Sequence, residues 1–430
     1  LFNAANLEQL KKQCKEALEK VESESGNQHF LELISQSLEN PIPEENARIG
    51  FLCTSVSELT EKLDQALKLF EEKKDSESWN KNGIMFASKG FPHQGKVVAL
   101  FSGQGSQYRN MGKELYLNFP PMLESLQSVD QCFIQEGSKP LSGVVFPNPV
   151  FDDEQKEKQD TDLQLTQHAQ PSIGAFGAGL YKILKDSGLE ADFTAGHSFG
   201  ELTALWAAGV LEDKDYYLLA HARGKAMAAP DDPDFDAGSM LAVMGKVDQL
   251  EKELKEFPEV KMANLNSKKQ VVLAGPKADI EKVRGELKAK KFTVVPLPVS
   301  AAFHTPLVGH AQKPFAQAIQ SVEFNKPAVP VYSNSTAKAY PKKPESIKTQ
   351  LEEHILQSVR FREEIEQIHQ DGGRIFIEFG PKNVLTKLTD NILSGKDYLA
   401  VALNDSPKKN SDLLFREAIL KLCVAGLPLQ

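Results

Sequence analysis

Apolar and polar positions along the chain follow two spacings, one typical of helices and one typical of buried strands. Apolar side chains recur every three or four residues in segments such as 7–20, 57–73 and 411–424, which predicts amphipathic helices. Continuous apolar runs at 96–102 and 374–379 predict strands covered on both faces. Strand and helix patterns alternate, so we expect an α/β fold with a mostly parallel sheet.

A compact and nearly symmetric pattern occupies residues 238–300. It predicts strands and helices in the order β-α-β-β-α-β, at 240–244, 247–257, 261–266, 270–274, 278–290 and 292–299. This order is that of a ferredoxin-like arrangement. We interpret it as a subdomain inserted into a larger α/β core, because the chain on both sides continues other elements.

The first 95 residues predict a separate small α/β unit that ends in a stretch rich in glycine, proline and lysine. The predicted organisation is therefore a small domain at 1–95, a larger core at 96–237 and 301–430, and the inserted subdomain at 238–300. The chain does not begin with methionine and opens on an amphipathic segment, so we expect a piece of a longer protein.

Composition narrows the function classes. With 430 residues and a net charge of −9, the chain is large enough for a substantial core and is unlike a general nucleic-acid binder. The apolar runs are too short to span a bilayer. Its four cysteines lack metal-ligand spacing, which predicts reduced thiols in the cytoplasm and no bound metal.

The main candidate for a catalytic motif is Gly-His-Ser-Phe-Gly at 196–200, with Ser198 at its centre. A short apolar approach precedes it and a helix-prone run follows, which is the context of a nucleophile elbow. The helix N-terminus beneath such a serine offers unpaired N–H groups to a developing oxyanion. The alternative is a glycine-bearing turn that matches the pattern by chance.

Other candidate positions are weaker when each is taken alone. The glycine-rich turn at 103–107 lacks a phosphate-binding motif, so it is either a tight turn or a backbone surface beside a reacting carbonyl to which Gln104 supplies an N–H. Gln170 precedes a proline and is either a helix cap or a site residue. Arg223 has small neighbours that suggest an enclosed position, although most arginines are solvated. His304 follows the inserted subdomain, where a general base is chemically reasonable.

Taken together, these motifs resemble those of the acyl-CoA:acyl-carrier-protein transacylases, the malonyl transferases of fatty-acid and polyketide synthases. The resemblance rests on six ordered segments, at 103–107, 170–171, 196–200, 223–224, 303–304 and 378–381. It covers roughly residues 96–430. Residues 1–95 resemble the linker that joins a ketosynthase to such a domain, and 196–228 look most similar to polyunsaturated fatty acid synthases, with iterative polyketide synthases second.

The resemblance implies a role for each candidate. Ser198 becomes the nucleophile and His304 its base, since a serine hydroxyl needs a base to attack at neutral pH. A backbone carbonyl orients the histidine in this family, and the matching loop holds Ser333 and Asn334. The N–H groups of Phe199 and Gln104 form the oxyanion hole, and Gln170 lines it.

The substrate and partners are also implied by the resemblance. Arg223 holds the free carboxylate of malonyl in a bidentate pair, and Phe303 crowds an α-methyl group. Ala301 occupies the position where malonyl-specific members of this family have a histidine. The set of side chains that would limit the size of the α-substituent therefore differs from theirs at this position. Malonyl-CoA is then the donor and the phosphopantetheine thiol of an acyl carrier protein the acceptor, with no bound cofactor and with a ketosynthase as neighbouring domain.

Two other interpretations compete with acyl transfer. An α/β-hydrolase or thioesterase needs an acid between the serine and the histidine, and the available acids lie in one short loop. These acids are Asp231, Asp232, Asp234 and Asp236. A degenerate docking scaffold is the second alternative, against which intact Ser198, His304 and Arg223 argue.

Overall fold

A computed structural model describes residues 1–429 except 24, 40–41, 91–94, 231, 233–234, 246 and 300. The chain divides into two compact units. The first unit comprises Leu1–Gly95, Leu184–Glu190 and Asp412–Gln430, and the second comprises Lys96–Ile183 and Ala191–Ser411.

The first unit is built on a four-stranded antiparallel sheet with the order β1-β2-β4-β3. Its strands are β1 Phe2–Ala4, β2 Ala47–Phe51, β3 Ser78–Lys81 and β4 Ile84–Ala87, and its helices α1 Leu7–Val21, α2 Gly26–Glu39 and α3 Val56–Glu72. Helix α1 buries Leu10, Cys14, Ala17 and Val21, three or four residues apart. This spacing places one apolar stripe against the core, as the sequence pattern predicts.

The C-terminal helix Ser411–Ala425 has its apolar contacts in the first unit. Leu420 and Val424 pack with Met85 and Ala87 of β4. The predicted core range 301–430 is therefore too long, because residues from 412 onward belong with the small unit. The sequence pattern predicts an amphipathic helix here but contains no information on which sheet its apolar face covers.

The second unit holds the remaining elements. Its strands are β5 Lys96–Phe101, β6 Phe193–Gly196, β7 Ser239–Met244, β8 Lys261–Ser267, β9 Gln270–Gly275, β10 Thr293–Pro296, β11 Gly373–Phe379 and β12 Leu399–Ala402. Its helices are α4 Lys113–Asn118, α5 Pro120–Gln135, α6 Ser142–Val145, α7 Asp153–Gln164, α8 Thr166–Asp186, α9 Gly200–Ala207, α10 Asp213–Ala226, α11 Leu250–Glu253, α12 Lys277–Ala289, α13 Gln312–Gln320, α14 Pro344–His354, α15 Phe361–Gln370 and α16 Val384–Ile392.

The main sheet of this unit is parallel, with the strand order β12-β11-β5-β6. Strands β5, β6 and β11 therefore end at the same edge, and the segments that follow them are the glycine-rich turn, the Ser198 turn and the 380–383 loop. Ligands of open parallel sheets bind at the carboxyl ends of the strands. This edge of the sheet therefore carries two of the candidates, Gln104 after β5 and Ser198 after β6. Beside β6, Val331 and Tyr332 form isolated bridges, Val331 with Thr194 and Tyr332 with Ala339.

A second sheet of this unit is antiparallel, with the order β10-β7-β9-β8. Its elements follow the predicted order, with one difference in the first helix. In place of one helix at 247–257, the chain forms two 3₁₀ turns, Val247–Gln249 and Leu254–Glu256, around the short helix α11. The apolar stripe that predicted the helix is present, since Val247 and Leu250 are buried in the core of the small sheet and Leu254 and Phe257 pack against it.

Helices in the described part of the chain fall short of either the length or the apolar character that crossing a membrane requires. All four cysteines are free.

Candidate active site

Ser198 occupies a sharp turn between strand β6 and helix α9. Its φ of +53° lies in the left-handed region, which a residue with a Cβ adopts at a cost. Two glycines make room for the turn: a Cβ on Gly196 would lie 2.1 Å from the carbonyl oxygen of Gly200, and one on Gly200 would lie 1.9 Å from that of Phe101. The predicted elbow is therefore the observed geometry.

The hydroxyl of Ser198 meets the imidazole of His304. The distance between Ser198 Oγ and His304 Nε2 is 2.7 Å. On the other side of the ring, Nδ1 lies 2.9 Å from the backbone carbonyl oxygen of Gln357. Because a carbonyl only accepts, Nδ1 carries the proton and Nε2 is left as an acceptor for the serine proton.

His304 is neutral over the ordinary pH range. It is 3% exposed, and burial lowers its pKa to about 3, with the positive charge of Arg223 acting in the same direction. A neutral imidazole beside a hydroxyl is the arrangement that general-base activation of a serine requires.

The glycine-rich turn at 103–107 packs directly on the elbow. A Cβ on Gly103 would lie 2.2 Å from the carbonyl oxygen of His197, so only glycine permits this approach. The backbone N–H groups of Gln104 and Phe199 have no hydrogen-bond acceptor among the described residues. In contrast, the N–H of Ser198 donates to the side chain of Asn334 at 2.6 Å. Two N–H groups beside Ser198 thus remain available to an oxyanion.

Arg223 is a fully buried cation on helix α10. Its Nη1 donates to Gln170 Oε1 at 2.7 Å, while Nε and Nη2 have no acceptor among the described residues. The guanidinium lies 5.8 Å from the centre of the Phe199 ring. Burial lowers the pKa of Arg223 to about 10 and Glu201 opposes this shift, so the group stays charged at neutral pH. A buried guanidinium with unused donors is suited to a carboxylate.

Gln170 links Arg223 to the glycine-rich turn at 103–107 through hydrogen bonds. Besides accepting from Arg223, it donates from Nε2 to Gln104 Oε1 at 3.3 Å. Helix α8 begins at Thr166, so Gln170 lies inside the helix and the interpretation as a helix cap is wrong. Its side chain lines the cleft, as the site interpretation requires.

Ser198, His304, Gln104 and Gln170 line a cavity of about 210 Å³ between the parallel sheet edge and the small antiparallel sheet. Arg223 is not among the residues that line this cavity and is hydrogen-bonded to one of them, Gln170. Phe303 is buried and lines the cavity, next to His304. Apolar side chains of the small sheet complete the wall. They are Met240, Ala242 and Val272. No group of three or more His, Cys, Asp or Glu side chains in the described residues is placed to hold a metal ion.

Comparison with known proteins identifies the family. Residues 98–425 match the family described as "Acyl transferase domain". The chain belongs to the acyl transferase domain family.

Among relatives of this acyl transferase domain is a subunit of the polyunsaturated fatty acid synthase of Thraustochytrium sp., 36% identical over 90% of this chain. The chain spans only 14% of the length of that relative. The malonyl CoA-acyl carrier protein transacylase of Bacillus subtilis is 33% identical and is matched over 71% of this chain and 93% of its own length. The acyltransferase domain from the second module of the salinomycin polyketide synthase superposes with a TM-score of 0.74 at 26% identity, over 100% of this chain and 94% of that domain.

One predicted role in the acyl transferase domain is wrong. Ser333 and Asn334 do not supply the carbonyl that orients His304, since Gln357 does. The carbonyl oxygen of Ser333 accepts from the N–H of Ala337 and that of Asn334 from the N–H of Arg360. Both carbonyls therefore have other donors. Nothing in the residue pattern at 354–358 distinguishes Gln357 beforehand.

The acyl transferase domain also contains a buried polar cluster that sequence reasoning missed. Glu201 and Glu364 are fully buried, and both accept hydrogen bonds from Asn334. Glu201 further accepts from Tyr340 and lies 3.6 Å from His354. Glu201 follows Ser198 by three residues in the first turn of α9, which in sequence resembles an ordinary helix-start acid. The others come from distant segments.

The acid that a hydrolase triad needs is not found in the described part of the loop where the sequence placed it. Asp231 and Asp234 lie outside the described residues. Asp236 accepts from the backbone N–H groups of Gly238 and Lys277. His304 Nδ1 faces a backbone carbonyl and not a carboxylate. The geometry favours a Ser-His pair.

We expect Glu201 to make folding stability fall as pH rises. Burial raises the pKa of Glu201 to about 7, whereas a glutamate in an unfolded chain titrates near 4.3. Between these values the folded protein keeps a proton that the unfolded chain has released, so stability declines until pH 7. From pH 5 to 8, the wild type should lose roughly 3 kcal/mol more than Glu201→Gln, which cannot titrate.

Urea unfolding of both proteins at pH 5, 6, 7 and 8 checks this prediction. The introduced glutamine can still accept from the N–H of Asn334 while its amide nitrogen faces Tyr340, so the variant keeps both contacts. Parallel pH curves for the two proteins would contradict the assigned pKa.

Proposed function

We propose that this chain takes a malonyl group from malonyl-CoA onto Ser198 and passes it to the phosphopantetheine thiol of an acyl carrier protein. The observation that carries the proposal is a buried Arg223, with two unpaired guanidinium nitrogens, beside the Ser198–His304 pair. Family membership and the name of the Bacillus subtilis relative support the same reaction.

In the first half-reaction, Ser198 Oγ attacks the thioester carbonyl of malonyl-CoA and His304 Nε2 takes the hydroxyl proton. The hydrogen bond from Nδ1 to Gln357 keeps the ring oriented and favours its charged form in the transition state. The N–H groups of Phe199 and Gln104 stabilise the oxyanion. The C–S bond then breaks, and His304 returns its proton to the departing CoA thiolate.

The second half-reaction runs the same steps with a new thiol. His304 takes the proton of the phosphopantetheine thiol, whose sulfur attacks the malonyl ester. The Ser198 oxygen leaves and recovers the proton from His304. Covalent catalysis thereby divides one thiol exchange between two large partners into two steps.

Selectivity among acyl groups follows from the side chains that contact the acyl group. Arg223 pairs with the malonyl carboxylate, and an acetyl group would leave this buried cation unpaired. Phe303 narrows the space beside the α-carbon, while Ala301 contributes little bulk.

The proposal also assigns the parts of the chain. The second unit is an α/β-hydrolase-like core with residues 238–300 as a ferredoxin-like subdomain. The strand order β10-β7-β9-β8 supports this assignment. Residues 1–95 of the first unit correspond to a ketosynthase-to-acyltransferase linker, with a ketosynthase as neighbour in a cytoplasmic synthase. No resident cofactor takes part.

Incubation with labelled malonyl-CoA tests the reaction. We expect one malonyl group per chain on the tryptic peptide that contains Ser198, and its movement onto a holo carrier protein when that protein is added. A matched incubation with the apo carrier protein, which lacks the thiol, controls for hydrolysis. If the label is lost to water as fast as to the thiol, the chain is a thioesterase and the proposal fails.

A further inference from the structure

One side chain, that of Asn334, contacts the Ser198 turn on two sides. Its Oδ1 accepts from the backbone N–H of Ser198 at 2.6 Å, and its Nδ2 donates to the carbonyl oxygen of Gly196 at 2.6 Å. Asn334 is fully buried. A single rigid amide therefore joins the last residue of β6 to the nucleophile.

The turn needs such a support because it is strained. A non-glycine residue at a φ near +53° costs about 1–3 kcal/mol and persists only when its surroundings hold it. The other hydrogen bonds of the turn involve neighbouring groups: the N–H of His197 donates to Phe101, that of Gly200 to His197 and that of Glu201 to the carbonyl oxygen of Ser198, while the His197 ring contacts Asn266. The bond from the Ser198 N–H to Asn334 is thus a direct restraint on the strained residue.

The orientation of the Asn334 amide is also determined. Its Nδ2 donates to Glu364 Oε2 at 2.7 Å, so the nitrogen must face Glu364 and the oxygen must face Ser198. Burial raises the pKa of Glu364 well above its ordinary value, yet a protonated carboxyl still offers a carbonyl oxygen to this donor. The backbone N–H of Asn334 donates to Glu201 Oε2 at 2.6 Å. Two buried carboxyl groups therefore fix this residue.

We infer that Asn334 is a positioning residue for Ser198, and that Glu364 keeps the Asn334 amide in the orientation that this task needs. With its N–H bound to Asn334, Ser198 presents its hydroxyl to His304. The oxyanion then accepts hydrogen bonds from the N–H groups of Phe199 and Gln104 and not from that of Ser198. The inference rests on the proposed acyl transfer at Ser198, but the reactivity of the serine can be measured without malonyl-CoA.

The experiment measures two rates on each variant: labelling of Ser198 by a small fluorophosphonate, and acylation by malonyl-CoA. We expect Asn334→Ala to slow both by about 100-fold, because displacements near 1 Å cost this much. The malonyl-CoA KM should stay within about threefold, since Arg223 is untouched. Asn334→Asp keeps the acceptor for the Ser198 N–H but loses both donors, and we expect at least roughly a tenfold loss.

Ser125→Ala is the matched control, because it also removes a buried side-chain bond to a backbone carbonyl, that of Pro121 in helix α5. It should label at the wild-type rate. Thermal unfolding of every variant shows whether the fold is kept.

If Asn334→Ala does not fold, a second pair of variants, at Glu364, tests whether the orientation of the Asn334 amide controls the reactivity of Ser198. Glu364→Gln keeps an oxygen acceptor for Nδ2 and should label within about threefold of wild type, whereas Glu364→Leu removes the acceptor and should lose at least roughly tenfold. A folded Asn334→Ala or Glu364→Leu that reacts with the fluorophosphonate at the wild-type rate overturns the inference. Failure of malonyl-CoA alone to react, with normal fluorophosphonate labelling, refutes the proposed substrate and leaves this inference standing.

Discussion

Ser198→Ala should lower malonyl transfer by at least about 10⁴-fold and leave no covalent malonyl group on the chain. Removing the nucleophile of a covalent mechanism eliminates the acyl-enzyme, and the remaining groups can only polarise the thioester. Alanine carries the same Cβ as serine, so it adopts the φ of +53° at the same cost. The loss is therefore chemical and not a loss of fold. Acid-stable label after incubation with malonyl-CoA, followed by peptide mapping, provides the measurement.

The Ser125→Ala variant serves as a control here too, since its hydroxyl lies in helix α5, where it donates to the carbonyl oxygen of Pro121. It should become labelled on Ser198 as the wild type does. Full labelling of Ser198→Ala at another residue would mean that a different nucleophile carries the reaction.

Arg223→Ala should reduce kcat/KM for malonyl-CoA by about 10³-fold while acetyl-CoA is used as well as before or better. The substitution removes the proposed buried partner of the malonyl carboxylate, and an unpaired buried charge costs about 3–5 kcal/mol. Acetyl has no carboxylate, so the loss of the guanidinium removes an obstacle to it and not a contact. The ratio of the two kcat/KM values measures the effect independently of small changes in folding.

Two further variants sharpen this prediction. Lys225→Ala deletes a cation from the same helix two residues away, where the side chain is 62% exposed and pairs with Glu136. It should leave the ratio unchanged. Arg223→Lys keeps the charge without the planar fork and should give an intermediate ratio. If Arg223→Ala lowered kcat/KM equally for malonyl-CoA and acetyl-CoA, Arg223 would not be the group that binds the malonyl carboxylate.

Local chemistry explains which parts of the site could be predicted. Gly196 and Gly200 mark the elbow in sequence because only glycine allows the close approaches that the structure contains. The spacing of β7 to β10 is equally local, so the small sheet follows from periodicity. Ser198, His304 and Arg223 could be proposed as site residues because each belongs to one of the ordered segments that carry the family resemblance.

The supports of these residues could not be predicted in the same way. Gln357, Asn334 and Glu364 act through contacts with segments that are remote in sequence, and no spacing rule connects them to Ser198 or His304. The sequence does not distinguish a buried glutamate from an exposed one. The burial of Glu201 and Glu364, and therefore their structural role, could not be predicted from it. The contacts of Ser411–Ala425 were missed for the same reason.

That C-terminal helix has a topological consequence. Because residues 184–190 and 412–430 return to the unit that holds residues 1–95, both segments of the larger unit, 96–183 and 191–411, are inserted between segments of the smaller one. A recombinant piece that begins at Lys96 would strip Leu420 and Val424 of their partners Met85 and Ala87. Exchange of this domain between homologous proteins should therefore transplant both flanks together, with junctions placed outside the small unit and not at its border with the larger one.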